Sequence, residues 1–322
     1  MPYITTPGQI AKHVYLTDTN QFSKERQTSA FIYWDGDTCL LMDVGTSDDV
    51  ETLFRNLIRL GIPENKVIGI VLTHYHFDHG GGAPTLWQEL SRRNPDFRII
   101  VPKETYHKLQ DAESHIRGAR TTYGDKVGKI LRLPEKAYTL VEKDVFLPIK
   151  LGDGYRLQLT AVPGHSDDHC APTLFQNGIP VFCFSGESCG ALCRAPIPIS
   201  MPTSMPPAFD FETYMDSCRK VASLAPEILG FGHFGAIVGK AEIADYLAQH
   251  QKEMHRFRDT VIRAYKEQPD TRYVVKQVLR FFELQGNISS NESETNSHNV
   301  IFAFTFGMMI DLGYRKAKYE QR

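Results

Sequence analysis

The sequence predicts an α/β fold followed by an all-helical carboxy-terminal extension. Over roughly the first 240 residues, short apolar runs rich in β-branched side chains alternate with segments of helical periodicity, which is typical of an α/β arrangement. Further on, apolar residues recur at helical spacing only. We therefore expect two parts: an α/β domain over residues 1–239 and a helical extension over residues 240–322.

The composition is that of an ordinary globular protein. Of the 322 residues, 42% are hydrophobic and 23% charged, and the formal net charge of -2 gives no reason to expect nucleic acid as a partner. No segment reaches the apolar length needed to span a membrane. The amino terminus lacks the basic start and apolar core of a signal peptide, so we expect a cytoplasmic protein. The six cysteines contain no Cys-x-x-Cys pair and indicate buried thiols.

A hairpin and a helix are predicted first. Residues 30–34 and 39–43 are apolar runs on either side of Asp-Gly-Asp, which favours a turn between two strands. Residues 47–49 can cap a helix that ends by Gly61 and carries Ile58 on its apolar face.

Strands and helices alternate through the middle of the chain. Residues 67–72 form a buried strand, residues 84–90 begin a helix and residues 97–101 form the next strand. The polar residues 102–128 indicate a solvated surface helix, in preference to a helix that covers a functional site. Two further strands are predicted, over residues 155–162 and 173–185.

The proline- and methionine-rich residues 195–207 are too apolar for a mere linker. We expect them to line a pocket, with Phe209 and Tyr214 nearby.

The extension begins with a long amphipathic helix from Lys240. A second helix is predicted over residues 274–284, a loop or disordered link over 286–298, and a last apolar helix over 300–318. Residues 300–310 form a large apolar surface. We expect it to form a homodimer interface, with burial against the chain's own α/β domain as the alternative.

The most informative segment follows the strand at residues 67–72. His74, His76, Asp78 and His79 place three imidazoles and a carboxylate within six residues, ahead of three glycines. In an extended chain His74 and His76 point the same way, and the following turn can bring the other two to a second position. This density of ligand-type side chains indicates a metal site.

Three more ligand-type residues follow predicted strands and lie beside glycines. They are His165 after Pro163-Gly164, Glu187 after Gly186, and His233 between Gly232 and Phe234-Gly235. Each is a weak signal alone, but together they indicate metal ligands supplied by loops at the ends of several strands.

The order of these residues, with Asp43 upstream, resembles the metallo-β-lactamase superfamily over roughly residues 10–240. The segment at residues 163–169 and the helical tail are most similar to the glyoxalase II-related branches. This resemblance implies an αββα sandwich, with Asp43 supporting the site through hydrogen bonds. It assigns His74, His76 and His165 to a first metal, and Asp78, His79 and His233 to a second.

The position of Glu187 is usually an aspartate that bridges both metals in this superfamily. Because glutamate is one methylene longer, Glu187 can bridge the metals, bind one of them, or lie outside the site. These three alternatives stay open at the level of sequence.

Hydrolysis is the chemistry that such a site favours. Two divalent cations, expected to be zinc with iron or manganese as alternatives, can share a water molecule and lower its pKa. Asp78 is the candidate catalytic residue for orienting this water or passing a proton, and Asp43 is the candidate that supports the site. We predict a hydrolase acting on an ester-like bond of a small molecule, with a thioester or lactone preferred.

Two other functions stay open. One is hydrolysis of RNA or another phosphodiester, which requires a basic groove formed by Arg117, Arg120, Arg315 and Lys316. The other is a di-iron redox or gas-sensing protein, because histidine and carboxylate ligands also suit iron.

Overall fold

The computed structural model describes residues 2–192, 200–284 and 294–317, which form a four-layered αββα sandwich. The described strands are β1 (Tyr3–Ile4), β2 (Gly8–Ala11), β3 (Val14–Asp18), β4 (Ser29–Trp34), β5 (Cys39–Met42), β6 (Val67–Val71), β7 (Arg98–Val101), β8 (Tyr138–Leu140), β9 (Tyr155–Ala161), β10 (Cys170–Gln176), β11 (Ile179–Phe184), β12 (Ala191–Leu192), β13 (Ser200–Met201), β14 (Ile228–Phe231) and β15 (Gly235–Val238). The described helices are α1 (Val50–Arg59), α2 (Ala83–Leu90), α3 (Lys103–Gln110), α4 (Glu113–Tyr123), α5 (Phe211–Leu224), α6 (Lys240–Glu267), α7 (Thr271–Leu284) and α8 (Glu294–Asp311).

Two large sheets form the middle of the sandwich. The first has the order β2-β3-β4-β5-β6-β7-β8, and its strands from β5 to β8 run parallel. The second has the order β1-β15-β14-β11-β10-β9, in which β11 and β14 are the parallel pair. Because parallel strands end at the same edge of a sheet, the loops after β5 and β6 lie side by side, as do those after β11 and β14.

Alternating side chains of the strands supply separate cores. Ile32 and Leu41 face α1 and α2, whereas Phe31 and its neighbours face the second sheet. Between the sheets, the rings of Phe31 and Phe184 lie 4.7 Å apart. The third core joins the second sheet to α5 and the extension helices. The αββα architecture implied by the resemblance is therefore confirmed, as is the hairpin of β4 and β5.

Several predicted elements differ in detail. The strand expected over residues 173–185 is a hairpin of β10 and β11, because Asn177 and Gly178 both have positive φ, at 52° and 81°, and form a tight turn. Ile58 belongs to α1 but is 74% exposed, since the buried face is centred on Leu53 and Leu57.

The extension also differs from its prediction. Helix α8 starts at Glu294, so the expected loop over 286–298 is helical at its end, and α8 stops at Asp311 rather than 318. Residues 285–293 and residue 318 lie outside the described residues. None of the described helices is long and apolar enough to cross a membrane.

Helix α8 packs directly against the α/β domain of its own chain. Ile301, Met308 and Met309 are buried in the shared core. A Cβ built on Gly307 would lie 2.0 Å from the carbonyl oxygen of Ser204, so only glycine permits this approach. Most of the apolar surface that motivated a homodimer is thus buried within the chain, and dimerisation stays a prediction.

A buried polar network attaches α6 to the sandwich. His250 is 1% exposed, and its Nε2 lies 2.8 Å from the hydroxyl oxygen of Tyr214. Its Nδ1 hydrogen bonds to the hydroxyl of Ser200, which in turn lies 3.1 Å from that of Tyr246. Burial lowers the pKa of His250 to about 3, so this imidazole is neutral in the folded protein.

We predict that His250 makes the folded state acid-sensitive. Because its pKa is lower in the folded than in the unfolded protein, its contribution is complete above about pH 6.5 and decreases as the pH falls toward 3. Between pH 6.5 and 4 the free energy of unfolding of the wild type should fall more steeply than that of His250→Gln, by up to about 1.4 kcal/mol per pH unit. Chemical denaturation at a series of pH values measures this difference.

The exposed His107 of α3 offers the matched control, since His107→Gln should keep the wild-type slope. Equal slopes for the wild type and His250→Gln would contradict the prediction.

Candidate metal centre

The predicted site residues all lie in one place, where the ends of strands from both sheets meet. Each follows a strand directly or through a short turn, so its backbone is fixed by the sheet behind it. Asp43 follows β5; His74, His76, Asp78 and His79 follow β6; His165 follows β9; Glu187 follows β11; and His233 follows β14.

The ligand-type atoms form two groups. Those of His74, His76, His165 and Glu187 lie within 4.8 Å of one another, and so do those of Asp78, His79 and His233. This division matches the one that the family resemblance implies, with Glu187 added to the first group.

The carboxylate of Glu187 faces both groups. Its Oε2 lies 2.8 Å from Nε2 of His165 and 3.4 Å from Nε2 of His79, whereas Oε1 lies 3.5 Å from Nε2 of His233. The longer side chain therefore reaches the position between the groups, and the alternative that it lies outside the site is wrong. The backbone of Glu187 is fixed on both sides: its N–H donates to His169, and its carbonyl accepts from Thr203.

Two buried imidazole nitrogens at the centre make no hydrogen bond. Within the described part of the chain, Nε2 of His74 and Nε2 of His79 lie 3.3 and 3.4 Å from Oε2 of Glu187, but neither atom has a hydrogen-bond partner. Unpaired buried polar atoms are rare because their desolvation is costly. Divalent cations would satisfy them, and the histidine and carboxylate donors suit zinc as well as iron or manganese. The residues present therefore fit a metal site.

Asp43 supports the ligands from behind. Its Oδ2 lies 3.1 Å from Nδ1 of His79, and its carboxylate also accepts hydrogen bonds from the backbone N–H and the hydroxyl of Thr73. The same hydroxyl lies 3.0 Å from Nδ1 of His74. Asp43 thus orients two imidazoles, and since it is fully buried it acts on the reaction only through them.

Backbone carbonyls fix two further imidazoles. Nδ1 of His165 donates to the carbonyl of Thr203 at 2.6 Å, and Nδ1 of His233 donates to that of Gln27 at 3.0 Å. A carbonyl oxygen only accepts hydrogen bonds, so both Nδ1 atoms carry protons. In the neutral ring Nε2 then carries the lone pair, and in both residues Nε2 faces the carboxylate of Glu187.

The two groups differ in their electrostatics. Burial lowers the pKa values of His74 and His76 well below the ordinary value, which keeps these ligands neutral. Burial also acts to lower the pKa of His79, but the carboxylates of Asp78, Asp43 and Glu187 together hold it well above the ordinary value. For Glu187 burial favours the neutral acid, yet the surrounding imidazoles, first that of His165, hold its pKa well below the usual range.

Sequence reasoning missed two histidines that contact the ligands. His115 of α4 stacks on His76, with ring centroids 4.6 Å apart, and its Nε2 accepts the N–H of Phe77. Helix α4 has no buried residue, as expected of a surface helix, but one side of it also lines the cleft at the site, which was the less favoured alternative. His169 stacks on His74 at 4.6 Å. Its place four residues after His165 was a usable signal, whereas His115 lies in a polar segment for which a helix over the site was the less favoured alternative.

The site forms the floor of a cleft of about 1120 Å³. As predicted for residues 195–207, this segment lines the cleft, through Met201, Met205, Pro206 and Pro207, while residues 195–199 lie outside the described residues. Phe209 and Tyr214 do not line it, because both are buried in the core between the second sheet, α5 and the extension.

The basic groove expected for a phosphodiesterase is not found along the described walls of this cleft. None of Arg117, Arg120, Arg315 and Lys316 lines it. Arg315 instead hydrogen bonds to the hydroxyl of Tyr265 and the carbonyl of Pro269, within the extension.

Known proteins share this sequence pattern. The profile of the metallo-beta-lactamase superfamily matches residues 23–233. ST1585, a metallo-beta-lactamase fold-containing protein of Sulfurisphaera tokodaii, is 26% identical over 195 residues, 59% of this chain and 67% of that protein. A hydroxyacylglutathione hydrolase of Buchnera aphidicola is 34% identical over only 74 residues, 23% of this chain and 26% of the relative.

Solved structures share the fold. The crystal structure of ST1585 has a TM-score of 0.62 and 20% identity, and the match covers 92% of this chain and 98% of that one. A B3 metallo-beta-lactamase described as the first with an active-site glutamic acid has a TM-score of 0.55 and 15% identity. The match covers 80% of this chain and 90% of that one. Since the family profile matches well over half of the sequence, the chain belongs to the metallo-beta-lactamase superfamily.

Proposed function

We propose that this protein is a binuclear metal-dependent hydrolase of an ester-like bond in a small molecule, with a thioester or lactone preferred. The observation that carries the proposal is the Glu187 carboxylate, which faces two groups of metal-ligand atoms at the floor of a cleft. Membership of the superfamily supports metal-dependent hydrolysis. The match to a hydroxyacylglutathione hydrolase, although short, supports an acyl thioester among the candidate bonds.

The two groups of residues define how the metals would be held. His74, His76 and His165 would hold the first ion, and Asp78, His79 and His233 the second, with Glu187 between them. When bound, two divalent cations lower the pKa of a water molecule and polarise the carbonyl group that it attacks. Zinc is our first expectation, with iron or manganese as alternatives.

Asp78 is the candidate for proton transfer. Its side chain is 15% exposed and lines the cleft, and its Oδ2 lies 3.7 Å from Nε2 of His233. A carboxylate at this place can accept the proton of the attacking water and return it to the leaving thiolate or alkoxide. The imidazoles behind it are buried and held by Asp43 and by backbone carbonyls, so the reacting groups meet a fixed set of ligands.

The shape of the cleft supports a small molecule. Helices α4 and α8 contact each other over the site, and the segment from Met201 to Pro207 closes another side. The described lining of the cleft is largely aromatic and aliphatic, as is typical of small-molecule sites. A polyanionic polymer would meet few cations there.

We predict that the metal-reconstituted protein hydrolyses thioesters or lactones in a panel that also contains β-lactams and phosphodiesters. His76→Ala should lower kcat/KM for the preferred substrate by about a hundredfold or more, because it removes a ligand of the first group. His107→Ala, at an exposed histidine, should retain full activity. Circular dichroism checks that both variants are folded, and an active, folded His76→Ala would contradict the assignment.

The role of Glu187 is tested separately through metal content. Glu187→Asp should retain two metal ions per chain with weaker affinity, because the shorter carboxylate keeps the charge but must shift to reach both groups. Glu187→Gln should bind about one, because it loses the charge that faces both. Elemental analysis after dialysis against zinc gives the ratio. Two ions retained in Glu187→Gln would show that this carboxylate is dispensable between the groups.

A further inference from the structure

Helix α8 forms one wall of the cleft above the ligand residues. Phe302, Phe306 and Ile310 all line the cleft and are spaced four residues apart, which places them in one stripe along the helix. Phe302 is 44% exposed, and its ring stacks on that of Phe306 at 6.0 Å. The opposite side of α8 carries Met308, which is buried in the core, and Met309 next to the stripe is buried as well. Helix α8 is therefore apolar all round because one side packs and the other faces the cleft.

A second apolar surface lines the same cleft and begins at the ligands. Phe22, Phe77 and Tyr123 form an aromatic cluster, in which Phe77 and Tyr123 lie 5.4 Å apart and Phe22 and Tyr123 lie 5.9 Å apart. Phe77 directly precedes Asp78 in the chain. Both apolar surfaces thus line the same cleft as the metal-ligand residues.

The position of the α8 stripe is fixed by the fold. Beyond the close approach at Gly307, the hydroxyl of Ser204 donates to the carbonyl of Phe304 at 2.8 Å. The carboxylate of Asp311 accepts the N–H of Phe211 at 2.9 Å. The Asp311 contact connects α8 to α5, and the Ser204 contacts connect it to the segment that also holds Thr203, whose hydroxyl supports the Glu187 backbone. The stripe and the ligands are therefore parts of one rigid arrangement.

We propose that the substrate carries an apolar acyl group, which lies between the α8 stripe and the cluster of Phe22, Phe77 and Tyr123. This inference rests on the proposed hydrolase function, and it specifies the substrate class. The stripe extends about 12 Å along the helix, which matches an extended octanoyl or decanoyl chain. In the reaction the carbonyl carbon gains the oxygen of water, the bond to sulfur or oxygen breaks, and the leaving group takes a proton.

The first test is a series of thioesters of one leaving group, N-acetylcysteamine, with acyl groups from acetyl to decanoyl. With the metal-loaded full chain, kcat/KM should rise at least about tenfold from acetyl to octanoyl, mainly through KM, because added methylenes are buried against the stripe. Phe302→Ala should remove most of this rise. Ile58→Ala, at a residue 74% exposed on α1 and outside the cleft, is the matched control and should behave as the wild type.

The second test measures binding without turnover. N-phenyl-1-naphthylamine bound to the metal-loaded protein should be displaced by octanamide but not by acetamide. Phe302→Ala should weaken octanamide at least about fivefold, whereas Ile58→Ala should not. Both variants remove surface-accessible apolar groups, and thermal unfolding checks that they are equally folded.

The two tests separate failure of this inference from failure of the proposed function. Thioester hydrolysis that does not depend on acyl length, with Phe302→Ala equal to Ile58→Ala, would overturn the acyl site and leave the hydrolase standing. Selective displacement by octanamide without hydrolysis of any ester would overturn the hydrolase and support the apolar site. If neither hydrolysis nor displacement is seen, both proposals are wrong.

Discussion

The buried negative charge of Glu187 is the constraint on which the rest of the site depends. A carboxylate in this setting stays ionised only because imidazoles surround it, and these in turn belong to loops from both sheets. Removing the charge would leave the cationic side of the arrangement uncompensated, and removing the imidazoles would leave a buried anion unpaired. The sandwich therefore has to bring loops from both sheets to one edge, where their imidazoles surround this carboxylate.

The fold meets this requirement through hydrogen bonds that orient the imidazoles from outside the ligand set. Carbonyl groups of Gln27 and Thr203 orient two of the imidazoles, and the carboxylate of Asp43 orients a third. Thr203 has a double role, because its carbonyl holds His165 while its hydroxyl holds the Glu187 carbonyl. One residue thus links a ligand of the second sheet to the carboxylate that faces both groups.

The sequence predicted those features whose causes are local. The hairpin at Asp35 follows from turn chemistry, and the ligand cluster follows from spacing within one loop. The turn at Asn177-Gly178 was equally local and could have been predicted, since this dipeptide favours a two-residue hairpin. Features whose causes lie far away in the chain were not predictable. His115 reaches His76 only because α4 lies over the sheet edge, and α8 lines the cleft only because Gly307 lets it approach Ser204.

The extension is thus a part of the site rather than an appendage beside it. Two routes connect it to the ligands: α8 packs on Ser204, and α6 places His250 against Tyr214, whose hydroxyl lies 3.2 Å from that of Thr203. Both routes arrive at the segment that supports Glu187 and His165. The ligands follow the strand ends, whereas α8, added after β15, supplies one wall of the cleft above them. In such a fold the chemistry and the choice of substrate can change independently, because they are carried by different elements.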